Sequence, residues 1–272
     1  MGPTTDLLRA LHAVLDRMGE VCLAVSGGVD SMTLAVVAGR RLGARAAVIH
    51  ATSPAVPPEA TARVRRYASL EGWPLEVIDA GEFADERYLA NPSNRCFFCK
   101  TNLYGALAAR TSAMICSGTN TDDLGDYRPG LQAAAAHRVR HPYVEAGIDK
   151  AAVRRMARVL GLDDLAELPA APCLSSRLET GIRVSAARLR LVHRVERLIE
   201  DALEPETVRC RVMTDGVTVQ LDAESLAAIE GEGGHVLRRQ IGDLLVAHGE
   251  VRAPRYAPYR MGSAFHRPAT HG

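Results

Sequence analysis

The sequence predicts an α/β protein: a doubly wound parallel sheet followed by a small C-terminal α+β domain. Three observations carry that expectation. Short apolar runs alternate with helical stretches from residue 21 to about residue 160, and such β–α alternation builds a parallel sheet covered by helices. The first strand runs directly into a Ser/Gly loop and then a helix, through Ser26-Gly27-Gly28-Val29-Asp30-Ser31. After about residue 184 the pattern changes to a long helix and two Val-rich runs bracketing Thr214-Asp215-Gly216, which is a hairpin signal. The expected division is residues 1–183 and 184–272.

Each element has its own signal. Residues 5–19 set Leu7, Leu8, Leu11, Val14, Leu15 and Met18 along one side of a helix. Residues 21–25, 46–50, 75–79 and 113–117 are apolar, β-forming runs of strand length. Residues 32–38 read as a helix after the first loop. Residues 57–71 form the next, with Pro58 near its start and Gly72 past its end. Residues 99–111 and 150–160 are helical, the latter closed by Gly161. Beyond them come a helix rich in Arg and Glu over 184–203, strands over 207–212 and 217–221, helices over 223–229 and 235–248, and a last strand over 251–258. The basic tail from His266 reads as frayed.

The chain has 272 residues, 47% of them apolar, which is enough for a real core. A net charge of +1 provides no global attraction to nucleic acid or anionic lipid, so neither is an expected partner. No run approaches membrane-spanning length, and residues 1–7 lack the basic and apolar regions of a signal peptide. The expected location is the reducing cytoplasm, where the six cysteines serve as thiols or metal ligands rather than disulfides.

The loop at 26–31 has the makings of an anion cradle. Gly27 and Gly28 let the backbone turn tightly and approach a phosphate. The helix that follows presents free N–H groups and the positive end of its dipole. Ser26 and Ser31 add hydroxyls, while Asp30 repels a phosphate unless a cation such as Mg²⁺ lies between. The loop has neither the Gly-Lys-Ser/Thr ending of a Walker loop nor the GxGxxG of a dinucleotide fold. Gly118-Thr119-Asn120 follows the fourth strand and so falls at the same edge of the sheet.

The cysteines divide into two groups. Cys22, Cys116 and Cys210 lie inside predicted strands and read as small buried apolar residues. Cys96 and Cys99 form a CxxC pair in Asn94-Arg95-Cys96-Phe97-Phe98-Cys99-Lys100, and Cys173 stands alone in Pro172-Cys173-Leu174-Ser175-Ser176-Arg177. Spacing alone leaves three readings open for this second group: an iron–sulfur cluster on three thiolates, a zinc site, or a redox pair at Cys96 and Cys99.

With these motifs in view, the chain resembles the LarE family of sulfur transferases, a branch of the PP-loop ATP pyrophosphatases. The matching segments are Ser26 to Ser31, Asn94 to Lys100, and residues 118–130, together with 145–150, Pro172 to Arg177, 208–211 and 259–263. The resemblance implies the adenine nucleotide α-hydrolase-like fold. It also implies ATP cleaved between the α and β phosphates, a carboxylate of a pyridinium biscarboxylate mononucleotide as the adenylated group, and sulfur delivered at Cys173. Members with three cysteines imply a [4Fe–4S] cluster on Cys96, Cys99 and Cys173, converging on one site and loaded from a sulfide or other sulfur donor. Other members sacrifice the sulfur of the cysteine matching Cys173.

On that resemblance Asp30 and Cys173 are the expected catalytic residues, and Ser26, Gly27, Gly28, Ser31, Gly118, Asp122 and Asp123 the expected ATP and Mg²⁺ site. Capping of the following helix explains either of Asp122 and Asp123 equally well. Arg209 and Arg211 alternate on a strand and face one side, which suits the phosphate of a mononucleotide. Arg177, Arg260 and Glu196 are weaker substrate candidates, a surface ion pair serving as well for Glu196. Relatives assemble as homo-oligomers. The family usually follows its Pro-Cys-Leu motif with Ile-Pro-Tyr-Gly, where this chain has Leu178-Glu179-Thr180-Gly181, so the departure bears on the acceptor rather than on the ATP chemistry. The rival readings are a tRNA thiolase, an amide-forming synthetase, and a non-catalytic nucleotide sensor with a cysteine redox switch.

Overall fold

Four short strands form a parallel sheet whose strand order places the Ser/Gly loop where the order reverses. The computed structural model describes residues 3–125, 129–170, 172–250 and 252–264. Three parts of the sequence reading lie outside the described residues: 126–128 within the 118–130 match, Val251 at the head of the last predicted strand, and the tail from His266.

In chain order the main elements are α1 (Pro3–Met18), β1 (Val21–Ala24), α2 (Val29–Leu42), β2 (Ala46–Ala51), α3 (Pro58–Glu71) and β3 (Leu75–Ile78). Then come α4 (Glu86–Leu89), α5 (Arg95–Ala108), β4 (Met114–Ser117), α6 (Pro129–Ala136), α7 (Pro142–Glu145), α8 (Lys150–Val159) and α9 (Asp163–Ala166). The remainder is α10 (Ala186–Leu203), β5 (Val208–Met213), β6 (Gly216–Leu221), α11 (Ala223–Glu230), α12 (His235–Val246) and β7 (Arg255–Pro258). The chain divides into two compact units, Met1–Asp85 with Arg95–Ala171, and Glu86–Asn94 with Pro172–Gly272. The residues around Cys173, placed by the sequence with the first domain, therefore pack in the second unit.

The first unit holds the sheet β3-β2-β1-β4. β1 pairs in parallel with β2 on one side and β4 on the other, Ala24 lying opposite both Ile49 and Ser117. The chain steps outward from β1 to β3 and then returns to the far side of β1 for β4. The crevice beyond the carboxyl ends of β1 and β4 is thus the switch point, where open α/β sheets bind ligands. Both faces are covered, as a doubly wound sheet requires. Val21 and Leu23 join a core with Leu11 and Leu15 of α1, Val36 of α2, Val64 of α3 and Met156 of α8. Cys22 points the other way, toward Ile49, Ile115, Tyr104 and Leu107 of α5 and Ala133 of α6. Among the described residues no helix is long and apolar enough to cross a membrane.

The second unit is built on a mixed sheet, β5-β6-β7. β5 and β6 are antiparallel, with Met213 opposite Gly216, so Thr214 and Asp215 make the turn. β7 runs parallel to β6. α10 starts at the N-cap Ser185, whose hydroxyl accepts the Arg188 N–H at 3.3 Å, and buries Leu189, Val192, Val195 and Ile199.

The helix expected from residue 99 begins instead at Arg95. Pro92-Ser93-Asn94 is the breaker, and nothing in Arg-Cys-Phe-Phe-Cys resists a helix. The CxxC pair therefore lies on a helix rather than in a loop.

Candidate active site

The loop after β1 is shaped by its two glycines. Gly27 holds φ +87°, and a Cβ there would lie 2.8 Å from the carbonyl oxygen of Ala60. Its own carbonyl accepts Nη1 of Arg63 at 2.8 Å. Gly28 caps α2 without a side-chain bond to the helix, so no capping side chain covers the first N–H groups of α2. Ser26 and Ser31 face each other with hydroxyls 3.1 Å apart. The Ser26 N–H donates to Ser31 Oγ at 3.1 Å, and Ser31 Oγ donates to the carbonyl of Gly28 at 3.3 Å. The turn is thus tied by the very hydroxyls expected to meet a phosphate.

The loop after β4 comes directly against it. A Cβ on Gly118 would stand 2.6 Å from the Ser31 amide nitrogen, so only glycine lets the two loops approach this closely. Asn120 is buried and donates from Nδ2 to Asp30 Oδ1 at 3.2 Å. The Asp30 carboxylate also pairs with Lys150 of α8, and the Asp30 carbonyl accepts the hydroxyl of Tyr143 at 3.1 Å. Burial raises the Tyr143 pKa well above its ordinary value, which keeps that donor protonated. Asp30 remains about a quarter exposed. Arg63, Asn120, Tyr143 and Lys150 were not legible as site residues. Asn120 and Lys150 carried a signal, as parts of the 118–130 and 145–150 matches.

Asp122 and Asp123 shape the same turn. Asp123 Oδ2 accepts the Asn120 N–H at 3.1 Å, and Asp122 Oδ2 accepts the Lys150 N–H at 3.2 Å. Both carboxylates thus accept backbone N–H groups, Asp123 within its own turn and Asp122 from the start of α8. Among the described residues no group of three or more His, Cys, Asp or Glu side chains is placed to hold a metal ion. A Mg²⁺ ion arriving with a triphosphate needs only one or two carboxylates, and the loop carries one, Asp30, which bonds to Asn120 and Lys150.

On α5, Cys96 and Cys99 lie one turn apart, Cys96 exposed and Cys99 half-buried. Cys22, Cys116 and Cys210 are buried. Burial pushes the Cys22 thiol up to about 11 and the Cys116 thiol up to about 12. It raises Cys210 as well.

In the second unit, Cys173 is exposed and heads the short 3-10 turn Leu174–Arg177. Arg177 is the strut of that turn. Its Nη1 donates to the carbonyls of Pro172 at 2.7 Å and Cys173 at 3.4 Å. Its other nitrogens form a bidentate pair with Glu196, both bonds 3.0 Å. The Glu196 carboxylate also accepts the Cys210 N–H at 2.8 Å. Both side chains are only 5% exposed, so the ion pair weighed as the alternative for Glu196 is present but buried rather than on the surface. The amphipathic helix hid this, because burial of a charge depends on a partner far away in sequence.

Arg211 is buried too, donating to Gln220 Oε1 at 3.1 Å and to the Ser176 carbonyl at 3.0 Å. Arg209 is half-buried, its guanidinium 5.9 Å from the ring centre of Tyr259, and its Nη1 donates to the Val208 carbonyl at 2.6 Å. Burial lowers the pKa of both arginines, and the Arg177 charge beside them lowers it further. Arg177, Arg209 and Arg211 thus lie within electrostatic reach of the Glu196 carboxylate, with Glu200 also acting on Arg209. Arg260 is exposed, and its carbonyl accepts from Arg211.

No family model matches the chain. It is 40% identical over 193 residues to slr1717, an uncharacterized protein of Synechocystis sp. strain PCC 6803, covering 70% of both chains. It is 21% identical over 224 residues to MJ0830 of Methanocaldococcus jannaschii, covering 81% of this chain and 84% of that one. It is 27% identical over 216 residues to the pyridinium-3,5-bisthiocarboxylic acid mononucleotide synthase of Lactiplantibacillus plantarum, covering 78% of each. The chain therefore belongs to one protein family with slr1717, and its similarity to the more distant synthase supports LarE as that family.

Proposed function

We propose that the chain is an ATP-dependent sulfur transferase. It adenylates a carboxylate of a pyridinium mononucleotide, releases pyrophosphate, and converts the carboxylate to a thiocarboxylate with sulfur delivered at Cys173. One observation carries this reading: the 26–31 loop, backed by Gly118 at the β1/β4 switch, leads into a helix without a capping side chain and keeps Asp30 beside it. The similarity to the Lactiplantibacillus synthase supports the choice of acceptor.

A carboxylate oxygen is a poor leaving group, and adenylation corrects that. The carboxylate attacks the α-phosphorus of ATP, the bond to the β-phosphate breaks, and pyrophosphate departs. Sulfur then attacks the acyl carbon and AMP leaves. Ser26, Gly27, Gly28, Ser31 and Gly118 form the phosphate cradle, whose N–H and O–H donors face the charge that develops on the leaving group. Mg²⁺, when bound with the nucleotide, supplies further charge neutralisation, and Asp30 is the residue to hold it. Asp122 and Asp123 act through the Asn120 turn that they brace. Arg209 and Arg211 receive the acceptor phosphate, with Arg260 nearby in sequence to Tyr259. Arg177 and Glu196 act by fixing the turn that Cys173 heads.

By the three-cysteine pattern, Cys96, Cys99 and Cys173 would hold a [4Fe–4S] cluster, which would supply sulfide for the transfer. The steps above need only Cys173. If its own sulfur is consumed, the thioester left after AMP departs loses the Cys173 Cα proton, the Cβ–S bond breaks, and dehydroalanine remains. Iron analysis after anaerobic reconstitution separates the two routes: about four irons per chain for the cluster, or a used enzyme lighter by one H₂S. A cytoplasmic homo-oligomer completes the proposal, and light scattering on the purified protein tests the oligomer.

The deciding assay is pyrophosphate release with the pyridinium biscarboxylate mononucleotide. Asp30→Asn should lower it by about 100-fold or more, the scale of losing one stabiliser of developing charge, with the circular dichroism spectrum unchanged. Near-normal release from a folded Asp30→Asn protein removes Asp30 from the reaction.

A further inference from the structure

Glu179 is one of the residues by which this chain departs from the usual Ile-Pro-Tyr-Gly of its family, and it is 9% exposed. A carboxylate is buried at a large cost unless hydrogen bonds satisfy it. Here Oε2 accepts the N–H of Thr214, in the β5–β6 turn, at 2.5 Å. The Glu179 N–H donates to the Val212 carbonyl at 2.9 Å, and its carbonyl accepts Nδ2 of Asn91 at 2.8 Å. Leu178 extends the contact with a parallel bridge to Val212. Of these three bonds, the one from Thr214 exists only because the residue carries a carboxylate, and the one to Val212 is open to any residue but proline.

The tether is connected to Cys173 by a short, bonded path. The Leu178 N–H donates to the Ser175 carbonyl at 3.2 Å, and the Ser176 N–H donates to the Cys173 carbonyl at 2.9 Å. One end of the turn is held by the Arg177–Glu196 pair. The other end is held by Glu179 on the hairpin.

We propose that Glu179 is a positioning residue for Cys173: it pins the segment after the 174–177 turn to the β5–β6 hairpin and so fixes the direction in which the exposed thiol points. The role assigned to the thiol rests on the sulfur-transfer reading above, whereas the pinning does not.

The test uses the full-length protein with Glu179→Gln, Glu179→Ala and Glu179→Met. Gln keeps an acceptor oxygen, while Met fills the volume without one. Amide hydrogen exchange at Thr214 and Ser176 should speed up by about tenfold or more in the Ala and Met variants, the scale of losing a charge-assisted hydrogen bond. In Gln it should stay close to wild type. Protection of the buried Cys210 thiol from iodoacetamide reports that the fold is intact. The sulfur-transfer rate should fall about tenfold in the Ala and Met variants, with pyrophosphate release and the KM for ATP unchanged, and Gln should restore it. Unchanged Ser176 exchange in a folded Ala or Met variant overturns the pinning. Equal sulfur-transfer loss in Gln and Ala, or none in either, overturns the positioning role. If wild type transfers no sulfur at all, the function reading fails while exchange at Ser176 still decides the pinning.

Discussion

Gly118 and Arg177 show how single residues set the site. Gly118→Ala places a methyl 2.6 Å from the Ser31 amide nitrogen, a backbone atom that cannot rotate away. The substitution should cost about 1–3 kcal/mol in stability, typical of overpacking, and should weaken ATP binding as the two loops separate. Calorimetric titration with ATP checks it; wild-type affinity would mean that the cradle tolerates the separation. Arg177→Met leaves the Glu196 carboxylate buried without its partner. Breaking a buried pair from one side costs about 3–5 kcal/mol. The double change Arg177→Met with Glu196→Leu should recover much of that stability in urea unfolding. It should not recover sulfur transfer, because the carbonyls of Pro172 and Cys173 still lack their donor. Full recovery of activity would reduce the pair to a packing element.

At the scale of elements, local sequence signals explain where helices begin. Asp149 precedes α8, and its Oδ1 accepts the Ala152 N–H at 2.6 Å. Asp149→Ala should cost about 1 kcal/mol, as for most N-caps, and lower Tm by about 2–4 °C. Asp149→Asn should be nearly neutral. Because α8 also presents Lys150 to Asp30, the Ala variant should weaken ATP binding while the Asn variant spares it. A Tm unchanged in Asp149→Ala would show that the packing of Val153 and Met156 alone holds the helix. α10 repeats the device with Ser185, and α11 with Asp222, whose carboxylate accepts the Ser225 N–H at 2.9 Å.

For the whole molecule, acid stability follows from buried histidine. His50 is fully buried on β2. Its Nδ1 lies 2.8 Å from the Val25 carbonyl, which only accepts, so that nitrogen carries the proton. Nε2 then accepts the Thr61 hydroxyl at 2.9 Å, as neutral imidazole does. Burial lowers the His50 pKa below its ordinary 6.5, and it lowers those of His12 and His141 too. The unfolded chain therefore binds protons at a higher pH than the folded one. Their contribution is fully present above pH 6.5 and is lost as pH falls below it. Tm should decline from pH 7 toward pH 5, and His50→Gln should flatten the decline. An unchanged slope in that variant would assign the acid sensitivity to the other two histidines or to carboxylates.

Local pattern determined much of this. Strand–helix alternation is a property of neighbouring residues, so β1 to β4, their crossover helices and the β5–β6 hairpin were legible from period and turn chemistry alone. The Ser/Gly loop was legible because its glycines and hydroxyls act within six consecutive residues. Burial of Cys22, Cys116 and Cys210 followed from their apolar strand neighbours. The start of α5 was missed because Asn94 and Arg95 carry no apolar period. Tertiary structure decided the rest. Lys150 meets Asp30 across 120 positions of chain, and Gly118 earns its glycine only where it meets Ser31. Arg177 and Glu196 look like surface charges until the fold removes water from both, and Glu179 looks like a departure from a motif until Thr214 supplies its partner. Pattern specifies which residues form an element; which charges are desolvated depends on what the fold brings beside them, and a linear sequence carries no such distances.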